Sequence, residues 1–283
     1  MKPRILCVSF SPISADARVL RQIEVLSEHG EVTTVGYGEA PASATRHIRV
    51  PDAAASLPQT LSGVARLAFH RHDAVELAAP GERAVRHEVI AAGPYDLVVA
   101  NDARALPLAF AAADDAPVWA DMHEWAPQER AANVVWRVLV GPYMQHLCEK
   151  YLPRAAAVTT VSSGLADLYN EHFGVRTELV RNATELRDLK PSPVAADRIR
   201  LVHSGTADPQ RNIVELIEAV GRLDGRYSLD LYLIEVPGAT SRRSADWPRR
   251  RTMSRCTIRL RPRPSRVCST NTTSECSSSP CAR

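Results

Sequence analysis

Residues able to do chemistry stand directly after short apolar runs in this chain. Pro117 to Ala120 leads into Asp121-Met122-His123-Glu124-Trp125, which delivers an imidazole between carboxylates at the end of a buried segment. Such a His either contacts a ligand or is satisfied by a neighbouring carboxylate. Asp16 and Arg18 stand where the first loop enters a helix. Asp is favoured at that position by the helix dipole. Asn101-Asp102 follows Asp96 to Ala100 and reads as a helix cap. Arg211 stands at the start of the amphipathic segment Asn212 to Val220. A cation is mildly unfavourable at that end of a helix, so Arg211 calls for a compensating anion.

The elements that position these groups follow from periodicity. Ile5 to Phe10 is an apolar run of the kind a buried parallel strand shows. A turn-rich loop, Ser11 to Asp16, leads to a helix with Val19, Leu20, Ile23 and Leu26 at helical spacing and Gly30 as its stop. Val32 to Val35 completes a βαβ unit, which predicts a parallel sheet with a right-handed crossover. Residues 52–90 are Ala-rich, and helices are expected there. Further strands are expected at Asp96 to Ala100, Pro117 to Ala120, Ala155 to Val161 and Thr177 to Val180. Gln145 to Tyr151 reads as a helix, and Ser162-Ser163-Gly164 opens another with a hydroxyl cap. Leu186 to Pro193 is polar with two Pro and reads as a linker. After it, strand Ile199 to His203, loop Ser204 to Arg211, helix Asn212 to Val220 and strand Tyr227 to Ile234 begin a second series. In open α/β sheets ligands bind beyond the carboxyl ends of the strands, where these polar residues collect.

Composition sets limits. Of 283 residues, 45% are hydrophobic and 24% charged, the balance of a soluble globular protein. Aromatics are 5%, so the cores must be aliphatic. The apolar run after Met1-Lys2-Pro3-Arg4 is too short for a signal peptide. No stretch reaches the ~20 apolar residues of a membrane helix. The expectation is a cytoplasmic protein. Charge is uneven: residues 237–283 hold eleven Arg and two acids, a net +9, so the preceding 236 carry −6 of the chain's +3. Eleven Arg suit an anionic lipid surface, so peripheral contact at the inner membrane face is kept as an expectation. The tail has one aromatic, Trp247, and no stacking platform, so nucleic acid is not expected as a partner. Its four Cys lack a C-x2-C hook, so no metal site is expected.

Four segments together resemble glycosyltransferase family 4, of the GT-B fold. They are Ser11-Pro12 through Asp16-Ala17-Arg18-Val19; Asp121 to Trp125; Val161-Ser162-Ser163 with Val180 to Thr184; and His203-Ser204-Gly205 through Pro209-Gln210-Arg211-Asn212. The resemblance covers residues 4–234. It implies two Rossmann-like domains and transfer of a sugar from a nucleotide-sugar donor to an acceptor, with retention at the anomeric carbon. The acceptor would be a sugar, a lipid-linked or a small molecule, and no cofactor or metal is implied. His123 would be the catalytic contact to the transferred sugar, with Glu124 beside it. Asp16 and Arg18 would face acceptor and donor. Gly205 would let the backbone turn beside the phosphates that Arg211 holds. Thr206 stands where the family often has a second Arg, and the family's later pair of Glu is not found.

The resulting layout is an acceptor-side domain at 1–190, the start of a nucleotide-sugar domain at 191–236, and a basic, disordered tail at 237–283. The tail's Arg, Ser, Pro, Thr and Cys are what GC-rich coding DNA yields in a wrong frame, so a frame-shifted, truncated product is one expectation for it. Two alternatives to an active transferase stand beside the main reading. One is an inactive fragment of such an enzyme. The other is a different Rossmann-type nucleotide-sugar enzyme, against which Ser9 to Ser14 counts by lacking the G-x-G-x-x-G turn.

Overall fold

Alternate residues of the first strand, β1 (Arg4–Pro12), enter different cores. Leu6, Val8 and Phe10 join one apolar cluster, and Ile5 and Cys7 join another on the opposite face. A strand covered on both sides has no polar face to show, hence the continuous apolar run. The structure is a computed structural model that describes residues 2–184, 186–207, 211–234 and 253–259. The chain divides into two compact units, Met1–Glu185 and Leu186–Arg283.

The first unit is a parallel sheet of seven strands in the order β3-β2-β1-β4-β5-β6-β7. The strands are β1, β2 (Glu31–Tyr37), β3 (Arg46–Arg49), β4 (Leu97–Asn101), β5 (Val118–Met122), β6 (Ala157–Thr160) and β7 (Thr177–Leu179). Between them run α1 (Ala17–His29), α2 (Leu61–Ala68), α3 (Pro80–Ala91), α4 (Leu106–Ala113), α5 (Gly141–Tyr151) and α6 (Ser163–Phe173). Asp16 caps α1 by accepting the Val19 amide at 3.3 Å, and α1 buries Val19, Ile23 and Leu26 against the sheet. Ser162 caps α6 in the same way, through the Leu165 amide at 3.4 Å. Gly174 ends α6 at φ +65°, a left-handed turn that favours glycine. The larger core lies on the other face and includes Val85 and Val89 of α3, Leu106 and Leu108 of α4, and Leu147 of α5.

Several expectations change in detail. Strand β3 is absent from the sequence reading, because only Ile48 of its four residues is buried and no alternation shows. The Ala-rich stretch does hold α2 and α3. Helix α5 starts at Gly141 rather than Gln145 and is preceded by a π-helical turn, Trp136–Val140. Strand β5 extends through Met122, which brings Asp121 inside the sheet.

The second unit pairs β8 (Ile199–Thr206) in parallel with β9 (Tyr227–Ile234), crossing through α7 (Ile213–Gly221). Val220, Leu229 and Leu231 form its small buried core. The expected loop from Ser204 begins later, since β8 runs on through Thr206. Within the tail, β10 (Met253–Arg259) pairs antiparallel with β9. The remaining positions of the expected disordered tail lie outside the described residues. Among the described residues no helix is long and apolar enough to cross a membrane.

Candidate functional site

Strand register builds the site. Ser9 pairs with Asn101, Asn101 with Asp121, and Asp121 with Thr159, so four polar residues form one row across β1, β4, β5 and β6. All four are buried. The row lies at the carboxyl ends of these strands. It begins at β1 and β4, where the chain reverses its direction of travel across the sheet. Such a switch point opens a crevice in doubly wound folds.

Buried polar groups need partners, and helix α1 supplies them. Asp121, with its side chain 2% exposed, is the centre. Arg18 grips it at two points, Nη2 to Oδ1 at 2.6 Å and Nε to Oδ2 at 3.1 Å. Gln22 Nε2 donates to Oδ2 at 3.1 Å, and the Thr159 hydroxyl donates to Oδ1 at 2.6 Å. Trp119 in turn donates to Thr159 Oγ1 at 2.8 Å. Arg18 also donates to the Val180 carbonyl at 2.8 Å, which ties the end of β7 to α1. Asn101 donates to Gln22 Oε1 at 2.9 Å, while its own Oδ1 is buried without a protein partner.

His123 stands between two carboxylates. Its Nε2 is 3.2 Å from Asp121 Oδ2, and its Nδ1 is 3.4 Å from Asp102 Oδ2. Burial alone would pull the imidazolium pKa down. The hydrogen bond to Asp121 and the charges of Asp102 and Asp121 outweigh burial, and the net shift is upward. For Asp121, burial pushes the pKa up, but donation from His123, Arg18 and Thr159 brings it below the ordinary value. His123 therefore takes up a second proton more readily than a free imidazole, and in that form it donates from both ring nitrogens.

Asp102 does not cap the helical turn that follows it. Its Oδ1 accepts the His123 amide at 2.9 Å, and its own amide donates to the Asp121 carbonyl at 3.0 Å. Its backbone sits at φ +66°, ψ 165°, a region that costs a non-glycine residue on the order of 1–3 kcal/mol. The bonds to the His123 segment hold it there.

Of the residues expected from sequence, the structure brings Arg18 and His123 together through Asp121. Arg18 is turned onto that carboxylate and holds it at two points. Asp16 serves as the cap of α1. Glu124 is exposed, and its carbonyl accepts the Tyr169 hydroxyl at 2.7 Å. Gly205 lies inside β8 rather than in a turn. A Cβ there would meet only His203 Nε2 at 3.5 Å, so no tight turn requires glycine. Arg211 is exposed just before Asn212, which leads into α7 at φ +51°. Asn101, Asp102, Asp121, Gln22 and Thr159 are the members that sequence reading did not assign. The available signal was polar residues closing three consecutive apolar strands. Elsewhere, Asp73, Glu76 and His146 lie close enough to share a cation, but Lys150 Nζ already sits 2.8 Å from each carboxylate.

No family model matches the chain, and no curated protein matches it. Solved structures do. HepE of Anabaena, in complex with UDP and glucose, matches with TM-score 0.51 at 16% identity, over 83% of this chain and 62% of HepE. Sucrose-phosphate synthase of Thermosynechococcus elongatus matches with TM-score 0.48 at 17% identity, over 86% and 64%. UDP-N-acetylglucosamine 2-epimerase of Rickettsia bellii matches with TM-score 0.41 at 10% identity, over 84% and 63%. At such identities the likeness concerns the fold, which is α/β of the GT-B type. The chain spans less than two thirds of the length of each of these three proteins.

Proposed function

We propose that the chain is a glycosyltransferase-like protein that takes a sugar from a nucleotide-sugar donor, within family 4 of the GT-B transferases. The observation that carries this reading is His123, held between Asp121 and Asp102 beyond the carboxyl ends of a parallel sheet. Fold alone names no reaction. HepE, which shares the fold, was crystallised with UDP and glucose, and this supports the choice of donor class.

The chemistry assigns roles. In transfer, the bond from the anomeric carbon to the diphosphate breaks and the electron pair leaves on phosphate. The acceptor oxygen bonds to the same carbon and gives up its proton. With retention, as the resemblance implies, that proton passes to the departing phosphate oxygen on the same face. His123 then acts as a donor to a sugar hydroxyl. Arg211 and the first amides of α7 would stabilise the diphosphate.

The test uses the full chain with a panel of nucleoside-diphosphate sugars, reading release of the nucleoside diphosphate. Release by the native chain, lowered about 10²–10³-fold in His123→Ala and Arg211→Ala, is expected if each removes a donor to developing charge. No release with any sugar, and no rise in melting temperature with any nucleotide, would favour the second reading, a non-catalytic fragment.

A further inference from the structure

The two carboxylates flanking His123 are unequal. Asp121 is 2% exposed and takes donors from Arg18, Gln22, Thr159 and His123. Its position is fixed from three elements. Asp102 is 30% exposed, its Oδ2 stands 3.4 Å from Nδ1, and its backbone occupies a conformation that suits glycine. A site that merely needed a turn after β4 would place Gly there. The one group that Asp adds is a carboxylate, and both of its oxygens address the same residue: Oδ1 the His123 amide, Oδ2 the ring. The strained backbone is thus tied to the carboxylate's contacts with His123, while the Nδ1 contact itself is long and partly open to solvent.

We propose that Asp102 is a positioning residue with a releasable grip: it holds the His123 ring through Nδ1–H and frees that N–H to donate a hydrogen bond to a sugar hydroxyl on binding. The Nε2 side stays locked on Asp121. The Nδ1 side is the one that can change partner, because Asp102 keeps the His123 amide through its other oxygen while it lets go of the ring. The contact is therefore a competitor that a hydroxyl displaces at little cost. The inference rests on the reading of His123 as the sugar contact. The half of it that concerns Asp102 and the ring can be measured without turnover.

The full chain, labelled with ¹⁵N-histidine, is titrated by NMR, and His123 is assigned by its loss in His123→Gln. Both ring nitrogens of native His123 are expected to be protonated at pH 7. Asp102→Asn keeps an acceptor for the His123 amide and removes the charge, so the His123 midpoint should shift down. Asp102→Gly removes the carboxylate and suits the backbone, so the midpoint should fall again while the melting temperature is held or rises. A His123 whose Nδ1 is unprotonated at pH 7 in the native chain overturns the proposal without any variant. So does a midpoint unmoved in a folded Asp102 variant. UDP-glucose is then added to the native chain. A change at the Nδ1 resonance with the Nε2 resonance unmoved supports the releasable grip, and movement at Nε2 instead overturns it. Loss of all nucleoside-diphosphate release with the NMR results intact sinks the transferase reading and leaves Asp102 as the residue that holds His123.

Discussion

At the scale of single residues, Asp121 has the most to lose. Its carboxylate faces the Arg18 guanidinium and the His123 ring in a buried setting. Removing one member of a buried pair leaves an uncompensated charge, typically at a cost of about 3–5 kcal/mol. Asp121→Asn keeps the shape and loses the charge. It should lower the melting temperature by about ten degrees, at ~2–4 °C per kcal/mol for a domain of this size. His123 adds a pH dependence. Its pKa is raised in the folded chain, so its contribution is complete below the unfolded value near 6.5 and is lost as pH rises through the folded value. The gap in melting temperature between native chain and His123→Gln should therefore be wider at pH 5.5 than at pH 8.5. An equal gap would mean that the ring is neutral in the folded state.

At the scale of elements, helix α3 carries a carboxylate with no obvious place. Glu82 is buried on its inner face, and Oε2 has no partner. Burial and then the nearby Glu76 push its pKa up to about 8. Between pH 4.5 and 8 the unfolded chain releases this proton while the folded chain keeps it, so stability falls as pH rises across that window. Glu82→Gln should stabilise the protein at pH 8.5 by on the order of 1–3 kcal/mol and change little at pH 5, as read by urea melts at both pH values. The elements were legible from sequence where one face or one period decided them: β1, α1, β2, β4, α6, α7 and β9 fall within a few residues of expectation. Edge strand β3 was not, because its neighbour β2, rather than its own pattern, makes it a strand. The site was legible in part for a related reason. Asp121 and His123 are two residues apart in the sequence, but the row Ser9, Asn101, Asp121 and Thr159 exists only once the order and register of four strands are known. Asp102 was read as a cap because local spacing shows a turn and not the residue across the sheet.

At the scale of the whole molecule, the two units differ in how their sheets end. The first closes its layers with helices on both faces around seven strands. In the second, β9 is an inner strand only because β10 pairs along it. Deleting residues 237–283 would open the β9 edge, and open edges recruit other chains. Light scattering at rising concentration should show the shortened chain associating at levels where the full chain stays monodisperse. An unchanged scattering curve would mean that the pairing contributes no protection.

The ion pair at the head of the first sheet also sets an order of events in time. Arg18 and Asp121 are 103 residues apart in the chain, and Thr159 lies a further 38 beyond Asp121. Asp121 can enter the sheet as an ion only after β1, β4 and β6 have all found their places. Until then, water is its better partner. Contacts of such long sequence separation form slowly. The same residues that hold His123 are thus joined across long stretches of chain, among the slow contacts of the unit.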